Sequence, residues 1–216
     1  MLFHLVKKDF LLAKPYWIIM LIAAAALPVF IHTRLIHSGG GGFLPFFLST
    51  LYVIFLLFST VSTMEYKYRG AALLCATPYT RKAIVRSRYY FIMTLFLVCY
   101  MIYGLTALFS PIKIEMLHFA DVGRAFLLIM VAFGVIIPVQ YRFGYEKSKY
   151  IFFFLVFLTP FVLPYFANLF QTRSSLLPIA PPISPFFMEW FFIVAALAIG
   201  ELSSRISIRV YANQNL

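Results

Sequence analysis

Apolar residues in this chain fall into long blocks, and the charges collect in the short stretches between them. The blocks cover about 15–31, 43–64, 89–109, 122–140, 150–170 and 186–203. They are blocks rather than one-sided stripes, and most approach the roughly 20 residues needed to cross a hydrocarbon core. Inside lipid the backbone must satisfy its own hydrogen bonds, so each block is predicted to be a helix. The pattern describes an all-α membrane protein, a single domain over 1–216 with six transmembrane helices. The first block is short and is expected to end at Pro28 and the polar 32–34 stretch. The sixth is the least apolar, with Glu189 near one end and Glu201 near the other.

Residues 1–14 follow another pattern. Leu2, Phe3, Val6, Phe10 and Ala13 fall near one helical face, and Lys7, Lys8 and Lys14 lie elsewhere around it. That arrangement predicts an amphipathic helix in the membrane interface, before the chain turns inward at Pro15. A basic start, an apolar run and Ala23–Ala26 have the outline of a secretory signal, but the apolar run continues through Pro28–Ile31. The segment is therefore read as a retained span.

Composition removes the soluble alternatives. The chain is 63% hydrophobic and 12% charged, against roughly 45–50% apolar and 25% charged for soluble domains. The net charge of +11 would suggest nucleic acid in a soluble protein. Here its distribution points to the bilayer, and no nucleic-acid partner is expected. Counted between blocks, 14 Lys and Arg fall on one side and four on the other. Basic residues gather in cytoplasmic loops and face anionic lipid, so both termini are expected to be cytoplasmic.

Candidate chemistry is sparse. There is no G-x-x-x-x-G-K-[ST] phosphate loop, no H-E-x-x-H and no G-x-S-x-G. Gly39–Gly42 reads as a flexible connection. His4, His32, His37 and His118 are scattered outside the spans, and Cys75 and Cys99 have no metal-ligand spacing. Arg124, Glu189 and Glu201 lie near span ends, which leaves no mid-membrane ionisable residue of the kind coupled carriers use. The expectation is no catalytic, cofactor or metal site, and energy for any transport supplied by another subunit.

The longest inner connection, 65–88, reads EYKYRGAALLCATPYTRKAIVRSR. Gly70–Ala76 is a short apolar helix former. Pro78-Tyr79-Thr80 makes a turn, and Thr80 is placed to cap a helix from Arg81. An exposed short apolar helix suits docking into a partner's groove. A basic loop lying against anionic headgroups accounts for the composition equally well.

Within that loop Glu65, Gly70, Leu74, Thr77-Pro78, Arg81, Ile84-Val85 and Arg88-Tyr89 resemble the corresponding loop of small bacterial ABC exporter permeases of the type 2 class. Similar matches occur at Lys7-Lys8-Asp9-Phe10, at 138–144 (PVQYRFG) and at Ser203-Ser204-Arg205. The resemblance implies a six-span permease of the bacterial cytoplasmic membrane that pairs as a homo- or heterodimer. It implies docking of a coupling helix onto a separately encoded ATPase, which would bind the ATP and magnesium. Glu65, Gly70, Leu73, Leu74 and Arg81 would meet the ATPase, and Phe3, Val6, Lys7, Lys8 and Phe10 would belong to the interfacial helix. The outer stretch 177–185 would cover or gate the exit. Such permeases are similar to exporters of antimicrobial or amphipathic peptides, including the phenol-soluble modulin exporter permeases, and some relatives act on other hydrophobic compounds. The competing expectations are an accessory or immunity membrane protein with no transport path, and an ion-coupled carrier.

Overall fold

A computed structural model describes residues 2–35, 42–68, 80–109, 116–150, 152–154, 156–159 and 185–212. Its long helices are α1 (Leu2–Ala13), α2 (Trp17–Leu35), α3 (Phe43–Lys67), α4 (Arg81–Phe109), α5 (Phe119–Phe143) and α6 (Pro185–Ala212). No strand occurs among the described residues. Five helical runs are long and apolar enough to cross a membrane: Phe3–Thr33, Phe43–Lys67, Arg81–Phe109, Phe119–Phe143 and Trp190–Ala212. The predicted span at 150–170 and the predicted helix at Gly70–Ala76 lie outside the described residues, except for short helical pieces near 150–159.

The prolines act differently from the expectation. Pro15 sits in a single 3-10 turn, Lys14–Tyr16, between α1 and α2, and Ala13 and Trp17 on either side keep right-handed helical backbone. Pro in a first turn gives up an N–H that would have no partner there. The chain therefore passes from α1 into α2 as one continuous helical run. Pro28 lies inside α2, which runs on to Leu35. A membrane helix can carry an internal proline because neighbouring groups re-satisfy the freed backbone. One local signal behaves as the sequence predicts. The Ala83 N–H donates to Thr80 Oγ1 at 3.3 Å as α4 begins. Gly144, at φ 81°, ends α5 with its N–H on the Gln140 carbonyl.

Neighbouring helices are fixed by aromatic contacts along their length. Phe46 of α3 meets Tyr103 of α4 at 5.1 Å between ring centres, and Glu65 meets Arg88 at the other end, so α3 and α4 are antiparallel. Phe96 meets Phe126 at 4.9 Å, which sets α5 antiparallel to α4. Phe119 meets Trp190 and Tyr141 meets Tyr211, so α5 and α6 run parallel. Gly200 faces the Met130 methyl across this last pair, and a Cβ there would require that flexible side chain end to move.

α3 is the centre of the bundle. Of its apolar window 72% is buried, against 11% for the N-terminal run. The core gathers Phe46, Ile54, Val61, Phe91, Ile92 and Phe133. Large apolar side chains also cover the outside, among them Ile18 and Ile22 on α2, Leu97 and Met101 on α4, and Phe191 and Val194 on α6. An apolar belt of this extent has no place on a monomer in water, and it is what a lipid-facing surface requires.

Candidate functional site

One end of the bundle gathers α1, the end of α3, the start of α4, and the ends of α5 and α6. We call it the basic end. Four charged side chains meet inside it. Asp9 of α1 is fully buried and Arg88 of α4 nearly so, while Lys8 and Glu65 of α3 are partly buried. Lys8 Nζ stands 2.5 Å from Glu65 Oε1 and 3.1 Å from Asp9 Oδ1. Arg88 pairs with Glu65 through Nη2 and lies 4.0 Å from Asp9 Oδ2 through Nη1. Arg88 also lies near the Tyr141 hydroxyl of α5 and stands over the Phe58 ring.

Local sequence explains the placement. Leu5, Asp9 and Ala13 follow a four-residue spacing and form the buried stripe of α1. Arg88 occupies the same stripe of α4 as Ile84 and Ile92, one turn from each. Glu65 comes one turn after Val61, where α3 is leaving the core. The cluster holds two positive and two negative charges and so balances itself. Balance matters because an unpaired ion in such a place costs several kcal/mol or more. Asp9 makes no hydrogen bond through either carboxylate oxygen among the described residues, and it is held by the two cations alone.

A second polar cluster carries no charge. The Tyr89 hydroxyl of α4 is 2.7 Å from Ser203 Oγ and 2.9 Å from Ser207 Oγ, both on α6. Ser203 donates its hydrogen to the Gly134 carbonyl of α5 at 2.5 Å. Tyr89 must then donate to Ser203 and accept from Ser207. Three helices are joined by hydroxyls that all find partners, which is the condition for burying them cheaply. At the surface of the basic end, Arg81 donates to the Ala212 carbonyl at 3.1 Å and the Tyr211 carbonyl at 3.4 Å. A cation there satisfies carbonyls left open at a helix C-terminus.

The family model described as "ABC-2 family transporter protein" matches residues 4–212. The chain belongs to this family. No curated protein and no solved structure matches it. An ABC-2 permease is a membrane transport component rather than an enzyme, and the family implies an ABC ATPase partner.

In this ABC-2 permease the residues named from sequence separate into three groups. Lys8 and Glu65 join the ion cluster. Phe3, Val6, Lys7 and Phe10 border an open groove between α1 and α4, and Arg81 is turned onto the end of α6. Gly70, Leu73 and Leu74 lie outside the described residues. Asp9, Arg88, Tyr89, Tyr141 and Ser203 all fall in the stretches that carry the family resemblance, but the sequence assigned none of them a role and gave no sign of the Tyr89–Ser203 link. A usable signal existed for Asp9, one of only seven acidic residues, set at helical spacing between Leu5 and Ala13. Among the described residues no group of three His, Cys, Asp or Glu could hold a metal.

Proposed function

We propose that this chain is the permease subunit of an ATP-driven exporter in a bacterial cytoplasmic membrane, with both termini cytoplasmic and the basic end facing its ATPase. The observation that carries the reading is the ion cluster. Glu65 stands where α3 leaves the bundle and Arg88 where α4 re-enters it, so the cluster clasps both ends of the 65–88 connection to α1 and α5. A push on that connection reaches four helices at once. In this reading Gly70–Ala76 is the coupling helix and seats Leu73 and Leu74 in a groove of the ATPase. Arg81 carries the same push to the end of α6.

Six spans fit the geometry. Parallel α5 and α6, with their matched ends in contact, are joined in a membrane bundle by an odd number of crossings. The permease works as a homo- or heterodimer, and its cargo is an amphipathic or antimicrobial peptide or another hydrophobic compound. The uncharged, aromatic-rich flanks of α4 and α6 suit such cargo.

The test uses the permease purified together with its ATPase. Leu73→Glu with Leu74→Glu abolishes copurification and ATP-driven export while the permease stays folded. ATPase binding and export that persist in this variant rule out the docking reading. Export that follows a proton or sodium gradient without ATP makes the chain a carrier instead.

A further inference from the structure

Lys7 and Lys8 are neighbours with opposite fates. About 100° separates consecutive side chains on a helix. Lys8 is spent in the ion cluster. Lys7 is exposed and lines the groove between α1 and α4, an open space of about 710 Å³. Such a volume lies within the roughly 300–1,000 Å³ of small-molecule sites.

The groove has a direction. The run from α1 into α2 lies alongside α4 and parallel to it, with Asp9 beside Arg88 and Phe10 against Phe91 at 5.0 Å. From the basic end inward, one wall presents Phe3 and Val6, then Lys7, then Phe10 and Trp17. The opposite wall presents Tyr90, then Thr94, then Val98. From Lys7 and Tyr90 inward both walls become apolar, along the axis on which the helices cross the bilayer. A phospholipid in the same leaflet stands along that axis with the same sequence of chemistry, headgroup outermost and acyl chain inward.

We propose that this groove binds one anionic phospholipid, its phosphate paired with Lys7 and an acyl chain laid along Phe10, Trp17 and Val98. Charge complementarity selects the anionic class: the groove carries one cation and no acid, on a chain of net charge +11. The site rests on the chain being a membrane protein and not on what it exports.

Trp17 makes the test direct. The chain has two tryptophans, so Trp190→Phe in the full-length protein leaves Trp17 as the only one. This protein is reconstituted with lipids brominated on the acyl chain, either phosphatidylglycerol or phosphatidylcholine, and quenching of Trp17 fluorescence is followed. One basic residue near a membrane surface favours anionic lipid by about fivefold. Trp17 is therefore half-quenched at about one-fifth the mole fraction of brominated phosphatidylglycerol. Lys7→Gln brings the two curves together, and Lys82→Gln, which removes an exposed cation outside the groove, leaves the preference in place. Coincident curves before any Lys change overturn the proposal. So does a preference that survives Lys7→Gln, or one that Lys82→Gln also abolishes, since either assigns the effect to general surface charge or another occupant. Unchanged α-helical circular dichroism accompanies each variant, because Lys7 and Lys82 are both exposed.

Discussion

The ion cluster at the basic end and the hydroxyl cluster built on the next residue of α4 are both buried and both join several helices, yet they use opposite materials. The first uses four full charges across α1, α3 and α4, with Tyr141 bringing in α5. The second uses Tyr89, Ser203, Ser207 and a backbone carbonyl, with no charge at all. Access to water accounts for the difference. Near the helix ends a charge can be partly hydrated, as Lys8 and Glu65 are, and the balanced set tolerates burial of Asp9 and Arg88. Between the helices only groups that satisfy each other locally are affordable. The clusters also differ in what they hold. The hydroxyls lock helix against helix. The ions lock helices to the two ends of a connection that leaves the membrane.

The largest expected effect breaks the ion cluster on one side. Arg88→Met leaves Asp9 and Glu65 to share Lys8 alone, one cation for two carboxylates, and lowers stability by about 3–5 kcal/mol. The drop is read as a lower unfolding midpoint in detergent and loss of monodisperse protein. Restoring the balance separates stability from coupling. Adding Glu65→Gln to Arg88→Met leaves the Lys8–Asp9 pair neutral in sum, and most of the lost stability returns. ATP-driven export stays low in the double variant, since the clasp on the connection is gone. Equal recovery of export makes the cluster a packing device like its neutral counterpart.

Tyr89→Phe tests the hydroxyl cluster and costs about 0.5–1.5 kcal/mol in the same unfolding measurement. ATP hydrolysis per molecule exported stays unchanged, because no link to the connection is cut. Arg81→Gln has the smallest effect, about 0.3–1 kcal/mol. It appears as faster hydrogen exchange at the amides near the end of α6, with the midpoint almost unmoved.

Much of the fold was legible in the apolar blocks, because a membrane penalises every unpaired backbone group and so turns each block into a helix. Thr80 announced a helix start by local chemistry alone. The prolines were misleading for the same reason that makes them good signals in water. Pro15 and Pro28 read as boundaries, and in lipid the helical run continues past both. The site was half legible. Lys8 and Glu65 were singled out, but as separate features of an interfacial helix and a docking loop, 57 residues apart. Arg88 was counted as one more inner-loop cation. Only its neighbours one turn away, Ile84 and Ile92, distinguish it from Arg86, which has Lys82 and Tyr90 there, lies exposed and pairs with Glu201 instead.

What the sequence determined by itself was the solvent: a chain this apolar, with its charges confined between blocks, folds in a bilayer as helices. That follows from composition and backbone hydrogen bonding, which need no tertiary partner. Which blocks face lipid was a tertiary decision. α2 and α3 are both apolar all round, yet α3 is the core and the N-terminal run is its periphery. Apolar content carries no direction where lipid and protein interior are equally dry. Only packing, and the pairing of the few charges that must be buried together, chose the arrangement.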